Sequence, residues 1–328
     1  MVSCRNPVSQ DLPVPDTRSR LPSSRPRVTI TDSYLEGPGI IHVSPSGSDE
    51  SGDGSRSNPY ASISRGTAAA TPGQVVLVAP GEYDEYVNLN SQGSEIVPVT
   101  AAIRVHGSRV YFPYGTDLSG VSSSGSDFVY VYRSRISNNG AYQITAVGGD
   151  YVEISAALLP EEGADGDHMA LSAAIGRPVI VAHAGPGEAV IRRGFYMQER
   201  DFNIMMGLTI RNAGQGFNMQ MGGSFNVIFN NVVQNISESN GIQIGVSTAA
   251  RPSAYNIIAN NVVVDTAVEG MYIGAGGQGP DNNHTDFTHI LNNIIYSTPG
   301  HKLENAIDLK EYNKGTVVEA NDMFNITL

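Results

Sequence analysis

From residue 39 onward the apolar residues fall in short runs separated by Gly, Asn, Pro and Ser: GIIHVS (39–44), QVVLVAP (74–80), AAIRVHG (101–107) and PVIVAH (178–183). Their length and Val/Ile content predict strands. One stretch reads differently: ASISRGTAAA (61–70) follows Asn58-Pro59, stops before Thr71-Pro72-Gly73, and predicts a short capping helix. In the second half the runs repeat. NIMMGLTIRN (203–212), NVIFNNVVQN (226–235), NIIANNVVVD (256–265) and HILNNIIYST (289–298) read alike, and TVVEANDMFN (316–325) is a fifth. Aligning Gly207, Asn231, Asn261, Asn293 and Asn321 gives steps of 24, 30, 32 and 28 residues. A period of that size marks a solenoid. Three short β runs per repeat and no helical period select the parallel β-helix, here with at least six coils.

The Asn pairs inside the repeats suit tight corners, where Asn tolerates the left-handed conformation and its amide can bond to the coils above and below. Residues 113–177 interrupt the repeat. DFVYVY, AYQITAV and YVEISAAL alternate apolar and polar positions, with Gly148-Gly149-Asp150 between the last two. They predict a small antiparallel β insertion carried on the solenoid and separable from it. The division that follows is a flexible tail (1–37), a cap and first coils (38–112), the insertion (113–177) and the remaining coils (178–328). NDMFNITL ends the chain without a following run, and capped solenoids predict that the natural chain continues.

Composition narrows the class. Of 328 residues 40% are hydrophobic and only 16% charged, enough for a core and too little charge for a disordered chain. The formal charge of −12 argues against nucleic acid as a partner. No apolar run is long enough for a transmembrane helix. The single cysteine, Cys4, excludes internal disulfides and Cys-based zinc sites. Met1-Val2-Ser3-Cys4 is similar to the end of a bacterial lipoprotein cleavage site, which would make Cys4 a lipid anchor ahead of a Pro/Ser tether. A lone surface cysteine is the plainer reading.

The third run of each repeat carries the candidate chemistry. GFNMQM (216–221), GIQIGV (241–246), GMYIGA (270–275) and AIDLKE (306–311) fall into register by their apolar positions. Period-2 alternation sends two columns outward: Asn218, Gln243, Tyr272 and Asp308 in one, Gln220, Gly245, Gly274 and Lys310 in the other. Gly245 and Gly274 predict an open floor. Tyr272 as a stacking surface, Asn218 and Gln243 as hydroxyl partners and Lys310 beside Asp308 suit an extended sugar chain. Lys310 between Asp308 and Glu311 also fits a solvated, ion-paired strand face. Asp281 and Asp286, and likewise His284 and His289, fit ordinary loop and strand-end positions.

One stretch resembles a known family. Val43-Ser44-Pro45-Ser46-Gly47-Ser48-Asp49, Asn58-Pro59-Tyr60-Ala61-Ser62-Ile63, Pro72-Gly73 and Pro80-Gly81-Glu82-Tyr83 resemble the opening of secreted right-handed parallel β-helix proteins. That superfamily includes pectate and alginate lyases and phage-like depolymerases. The resemblance implies an all-β, right-handed parallel β-helix solenoid with a short N-terminal capping helix, secreted or at the cell surface and facing carbohydrate. The family's hydrolase branch uses Gly-His-Gly with clustered aspartates; Pro299-Gly300-His301-Lys302 lacks the second glycine, so elimination ranks above hydrolysis. In lyases of this fold a Lys or Arg takes the C5 proton of a uronate and carboxylates hold Ca²⁺. The resemblance thus implies Lys310 as base, and Asp308, Glu304, Asp281 and Asp286 as Ca²⁺ ligands. The expected function is a Ca²⁺-assisted lyase acting on an acidic polysaccharide such as pectate or alginate. The alternatives are a non-catalytic glycan-binding or adhesive surface protein and a structural appendage module.

Overall fold

The structure, a computed structural model, describes residues 27–35, 39–164, 170–183, 185–277 and 279–326. Cys4 and most of the stretch expected to be a tail lie outside them. The chain forms a right-handed parallel β-helix of three sheets. The first sheet has eight strands: Ile40–Val43, Val75–Val78, Val179–Ala182, Asn203–Met206, Val227–Phe229, Ile257–Ala259, His289–Leu291 and Val317–Glu319. The second has seven: Gly81–Tyr83, Ala189–Ile191, Thr209–Ala213, Val232–Ile236, Val262–Thr266, Ile294–Tyr296 and Asp322–Phe324. The third has six: Tyr86–Leu89, Gly194–Gln198, Phe217–Gln220, Ile242–Ile244, Met271–Ile273 and Ile307–Leu309. Six coils are therefore complete among the described residues.

The Asn pairs divide the labour at the corner between the first and second sheets. The first members, Asn230, Asn260 and Asn292, are left-handed, with φ of 54°, 58° and 56°. The second members form a ladder, Asn231 donating to Asn261, Asn261 to Asn293 and Asn293 to Asn321. Gly207 has φ 70° and precedes Leu208, whose N–H meets the Asn231 side chain, so it matches Asn230 and the first step is one residue shorter than the sequence alignment implies. A second stack lies at the turn into the first sheet. Phe202, Phe225, Tyr255 and Phe287 stack with ring centroids 4.6, 5.1 and 4.9 Å apart.

The capping helix is Ile63–Ala69. Ser62 caps it by accepting from Arg65 N–H at 3.1 Å, and Glu85 accepts from Ile63 N–H at 2.7 Å. Gly66 lets the helix sit on the first coils: a Cβ there would lie 2.5 Å from Val43 Cγ2 and 2.9 Å from Val76 Cγ1. At the other end, Val318 and Met323 occupy the register of buried Ile290 and Ile295 and are 43% and 45% exposed.

The insertion departs from expectation in extent and in kind. It spans 94–177, not 113–177, so the run 101–107 belongs to it and not to the coils. Its strand order is Ser94–Ala101, Ser172–Arg177, Phe128–Tyr132, Gly140–Val147, Tyr151–Glu162, Arg104–Tyr111. The two end strands are consecutive in the chain, joined by a bend at Ala102 with φ 58°; among the described residues they share no ladder, so the sheet curls into a barrel that stays open between them. Val97, Val105, Val129, Ile144, Val152 and Ile175 fill it. Its outer face carries Phe128, Tyr130 and Tyr132, which pack against Ile180, Ile204, Val227 and Ile257 on the outer face of the first sheet. The barrel is therefore part of a shared core and not a separable appendage.

Residues 27–35, expected in the flexible tail, are also packed. Val28–Thr29 pairs with Ala141 and Tyr142 of the barrel, and Asp32–Leu35 forms one helical turn. Arg27 is buried, bonded to the carbonyl of Ser137 and ion-paired with Glu319 in the last coil.

Candidate functional site

The outer face of the third sheet has the register expected from sequence. Asn218 pairs with Gln243, Gln243 with Tyr272 and Tyr272 with Asp308. The column also runs the other way, through Tyr196 to Asn88. Those two positions, and Tyr86 beside them, were hidden in the sequence because the barrel separates the first coil from the second. The Tyr86 and Tyr196 rings stack at 6.0 Å and 25°.

Amides and hydroxyls bond to each other across this face. Tyr86 OH donates to Gln215 Oε1 at 2.9 Å, Asn218 Nδ2 to the same oxygen at 3.0 Å, and Gln220 Nε2 to Asn218 Oδ1 at 2.8 Å. Tyr196 OH donates to Gln198 Oε1 at 2.8 Å. The side chains are thus oriented by their neighbours while remaining on an outward surface.

The glycine floor is not open. The Gln220 amide lies over Gly245, and a Cβ on Gly274 would meet Lys310 Cβ at 2.9 Å. The glycines make room for these two side chains. Lys310 is ion-paired with Asp308, and its Nζ sits 4.7 Å from the centre of the Tyr272 ring. The bond to Asp308 holds the Lys310 ammonium above its ordinary pKa. A lysine held in that way keeps its proton.

Sequence reasoning passed over Glu269. It is buried two residues before Met271, and burial, with Glu304 and Asp308 nearby, pushes its carboxyl pKa up. The signal was the substitution within the repeat: the same turn carries Asn240 in the preceding coil, whose side chain accepts from Glu269 N–H at 3.1 Å.

The Ca²⁺ set is not brought together. Asp281 lies in the 3₁₀ turn Pro280–Asn282, and Asp286 accepts from Lys314 N–H at 3.0 Å. Asp308 is committed to Lys310, and Glu304 is exposed. Among the described residues no group of three or more His, Cys, Asp or Glu is placed to hold a metal. The residues present do not fit a Ca²⁺ site of the expected kind. His289 is no ligand candidate either, being buried under the barrel against Tyr132.

Two concavities lie away from this face. One, on the barrel, is lined by Arg104, His106, Tyr111, Glu161 and Glu162. The other lies between Tyr34, Gly73 and the serines of 123–126. Among the described residues no helix is long and apolar enough to cross a membrane.

Residues 45–99 match the model of a family described as a protein of unknown function (DUF1565). Comparison with curated proteins finds no match. Among solved structures the chain is similar to the alginate lyase from Paenibacillus sp. str. FPU-7, with TM-score 0.47, 16% identity, and 81% of this chain covered. It is similar to a rhamnogalacturonan lyase, with TM-score 0.37, 14% identity and 86% covered. A pectate lyase gives TM-score 0.36, 16% identity and 82% covered. The chain spans 65%, 62% and 55% of these three proteins. Likeness at this level concerns the fold alone.

Proposed function

We propose that the protein is a glycan-binding β-helix that takes a polysaccharide chain along the outer face of its third sheet. The observation that carries this reading is the row Asn88, Tyr196, Asn218, Gln243, Tyr272 and Asp308, one side chain per coil. Coils repeat at about 4.8 Å, so the row is a ruler of tyrosine rings and amides. Tyrosine faces take the apolar faces of sugar rings, and amides exchange hydrogen bonds with hydroxyls.

Charge selects among glycans. At the C-terminal end Glu269, Glu304 and Asp308 stand near Lys310, which Asp308 already pairs. That balance repels a polyanion and favours a neutral, hydroxyl-rich polysaccharide. Such a ligand implies a secreted or surface-exposed protein.

Elimination on an acidic polysaccharide is the second reading, favoured by the presence of Lys310 on the same face as the row. It requires the Asp308 ion pair to open, because the lysine must lose its proton before it can accept one from C5. Binding without turnover needs no such step.

The test is titration of the purified chain with xylan, a β-glucan, pectate and alginate, while ultraviolet absorbance is followed for unsaturated products. Binding to a neutral polymer, weakened about tenfold in Tyr272→Ala (~1.4 kcal/mol) without absorbance growth, is the expected result. Absorbance growth on pectate or alginate that Lys310→Ala abolishes would replace the first reading with the second. Affinity unchanged by Tyr272→Ala and Tyr196→Ala would remove the third sheet from both.

A further inference from the structure

The barrel strand Arg104–Tyr111 is sharply bent. Straight, it would hold the Cα atoms of Arg104 and Tyr111 roughly 23 Å apart, at about 3.3 Å per residue, further than the two side chains can span. Instead the Arg104 guanidinium lies 4.3 Å from the centre of the Tyr111 ring. The bend is at Gly107, whose φ of 59° is left-handed. Opposite it the ladder to Tyr151–Glu162 shifts register on both sides of Leu158. Inside the bend is a concavity of about 380 Å³, walled by Arg104, His106, Tyr111, Pro160, Glu161 and Glu162. A pocket of this size holds a small ligand.

Its polar groups are unspent. Arg104 and Glu162 stand opposite each other in the ladder, yet among the described residues neither forms an ion pair, and the guanidinium lies on Tyr111 instead. The same strand pair shows the ordinary alternative: Arg109, opposite Glu153, bonds to it at 2.9 Å. The His106 side chain also has no hydrogen-bond partner among the described residues. Around these groups the walls are fixed. Tyr111 is backed by the Tyr151 ring at 5.5 Å. Glu161 accepts from Ser134 Oγ at 2.6 Å, from Asn138 Nδ2 at 3.0 Å and from Arg135 N–H at 2.7 Å.

We propose that this concavity binds one saccharide residue through two neighbouring hydroxyls. The ligand has to satisfy a guanidinium and a carboxylate set across one small space. A simple anion would meet Arg104 but be repelled by Glu161 and Glu162, and a cation would meet the carboxylates but be repelled by Arg104. A hydroxyl serves both: its oxygen accepts from Arg104 and its hydrogen goes to Glu162. Vicinal hydroxyls match the planar fork of the guanidinium, whose N–H groups reach two acceptors at once. His106 stands in the same wall for a third hydroxyl, and the Pro160 ring offers an apolar surface to the C–H face of a sugar. The pocket uses no residue of the third-sheet row and holds a sugar whether or not that row does.

The test is a nuclear magnetic resonance titration of the isotope-labelled full chain with the methyl glycosides of glucose, galactose and mannose, and separately with acetate. The amide signals of 104–111, 161 and 162 are read. At least one neutral glycoside is expected to shift them. Its affinity should fall about tenfold in Arg104→Ala and in Glu162→Gln, each of which removes one charged hydrogen-bond partner. Both residues are exposed, so the barrel keeps its fold in either variant, which the signals of the buried strand Phe128–Tyr132 check. No response to any of the glycosides would overturn the proposal. So would glycoside binding that survives both variants. Acetate shifting the same signals more strongly than the glycosides do would also overturn it, since the pocket would then be an anion site built on Arg104.

Discussion

The side-chain oxygen of Asn261 accepts both the main-chain N–H of Asn231, at 3.0 Å, and its side-chain amide, at 3.1 Å. Asn261 in turn donates its own amide to the Ile228 carbonyl at 2.8 Å. With the further bond from its amide to Asn293 Oδ1 at 3.0 Å, Asn261→Ala removes four bonds and leaves buried donors behind, each at about 1–3 kcal/mol. The expected loss is about 3 kcal/mol, read from urea denaturation midpoints. Asn260→Gly next door should stay within ~0.5 kcal/mol, because glycine takes the left-handed conformation freely and its smaller side chain raises unfolded-state entropy only modestly. Similar losses in the two variants would count against the ladder.

His289 stands in the column of Ile257 and Val317, outward from the first sheet and beneath the barrel. Among the described residues neither ring nitrogen has a hydrogen-bond partner. Burial, helped by Arg27 and Arg133, lowers its pKa from 6.5 to about 3. As pH falls below 6.5 the unfolded chain takes up a proton that the folded chain refuses until about 3. Stability contributed by the neutral ring is thus present above 6.5 and lost through that window, by up to ~1.4 kcal/mol per pH unit. His289→Ile, the residue of the neighbouring coil, should flatten the acid limb of the stability profile. An unchanged profile would mean that the ring titrates normally.

Replacing 94–177 by a short turn should yield insoluble protein. Ile180, Ile204, Val227 and Ile257 would lose the Phe128, Tyr130 and Tyr132 cover and present a contiguous apolar sheet to water. A soluble, cooperatively folding product would show that the first sheet tolerates exposure.

Two glycines on the third sheet should respond unequally to alanine. A Cβ on Gly241 would lie 2.5 Å from Val263 Cγ1 and 2.6 Å from the Gly270 carbonyl oxygen, neither able to yield. A loss above ~2 kcal/mol is expected. Gly245→Ala displaces only the flexible end of Gln220 and should cost below ~1 kcal/mol. Thermal melts of the two variants separate the cases.

The solenoid was legible because its rules are local. Alternation fixes which face a residue takes, and the Asn pairs mark a corner, so Asn218, Gln243, Tyr272 and Asp308 could be placed in one column without coordinates. What was not legible depends on contacts between distant stretches. The Ala102 bend starts the barrel earlier than the alternating runs suggest, and Val28–Thr29 is a strand only because Ala141 and Tyr142 of the barrel accept it. The open glycine floor failed because spacing fixes a face but not where a neighbouring side chain lies: Gln220 and Lys310 fill the space that Gly245 and Gly274 leave. Glu269 was missed because its environment comes from the following coil.

In a plain solenoid each coil knows only its neighbours, and the ends fray one repeat at a time. Here the barrel inserted after the first coil reaches far along the stack. Its Tyr132 hydroxyl donates to the Tyr255 carbonyl at 2.7 Å, 123 residues away, and Arg27 beside it grips Glu319. Peeling the last coil therefore tugs on a body that is also seated on the second coil through Ile180. The molecule should melt as one unit, and pulled from its C-terminal end it should resist and then give way at once.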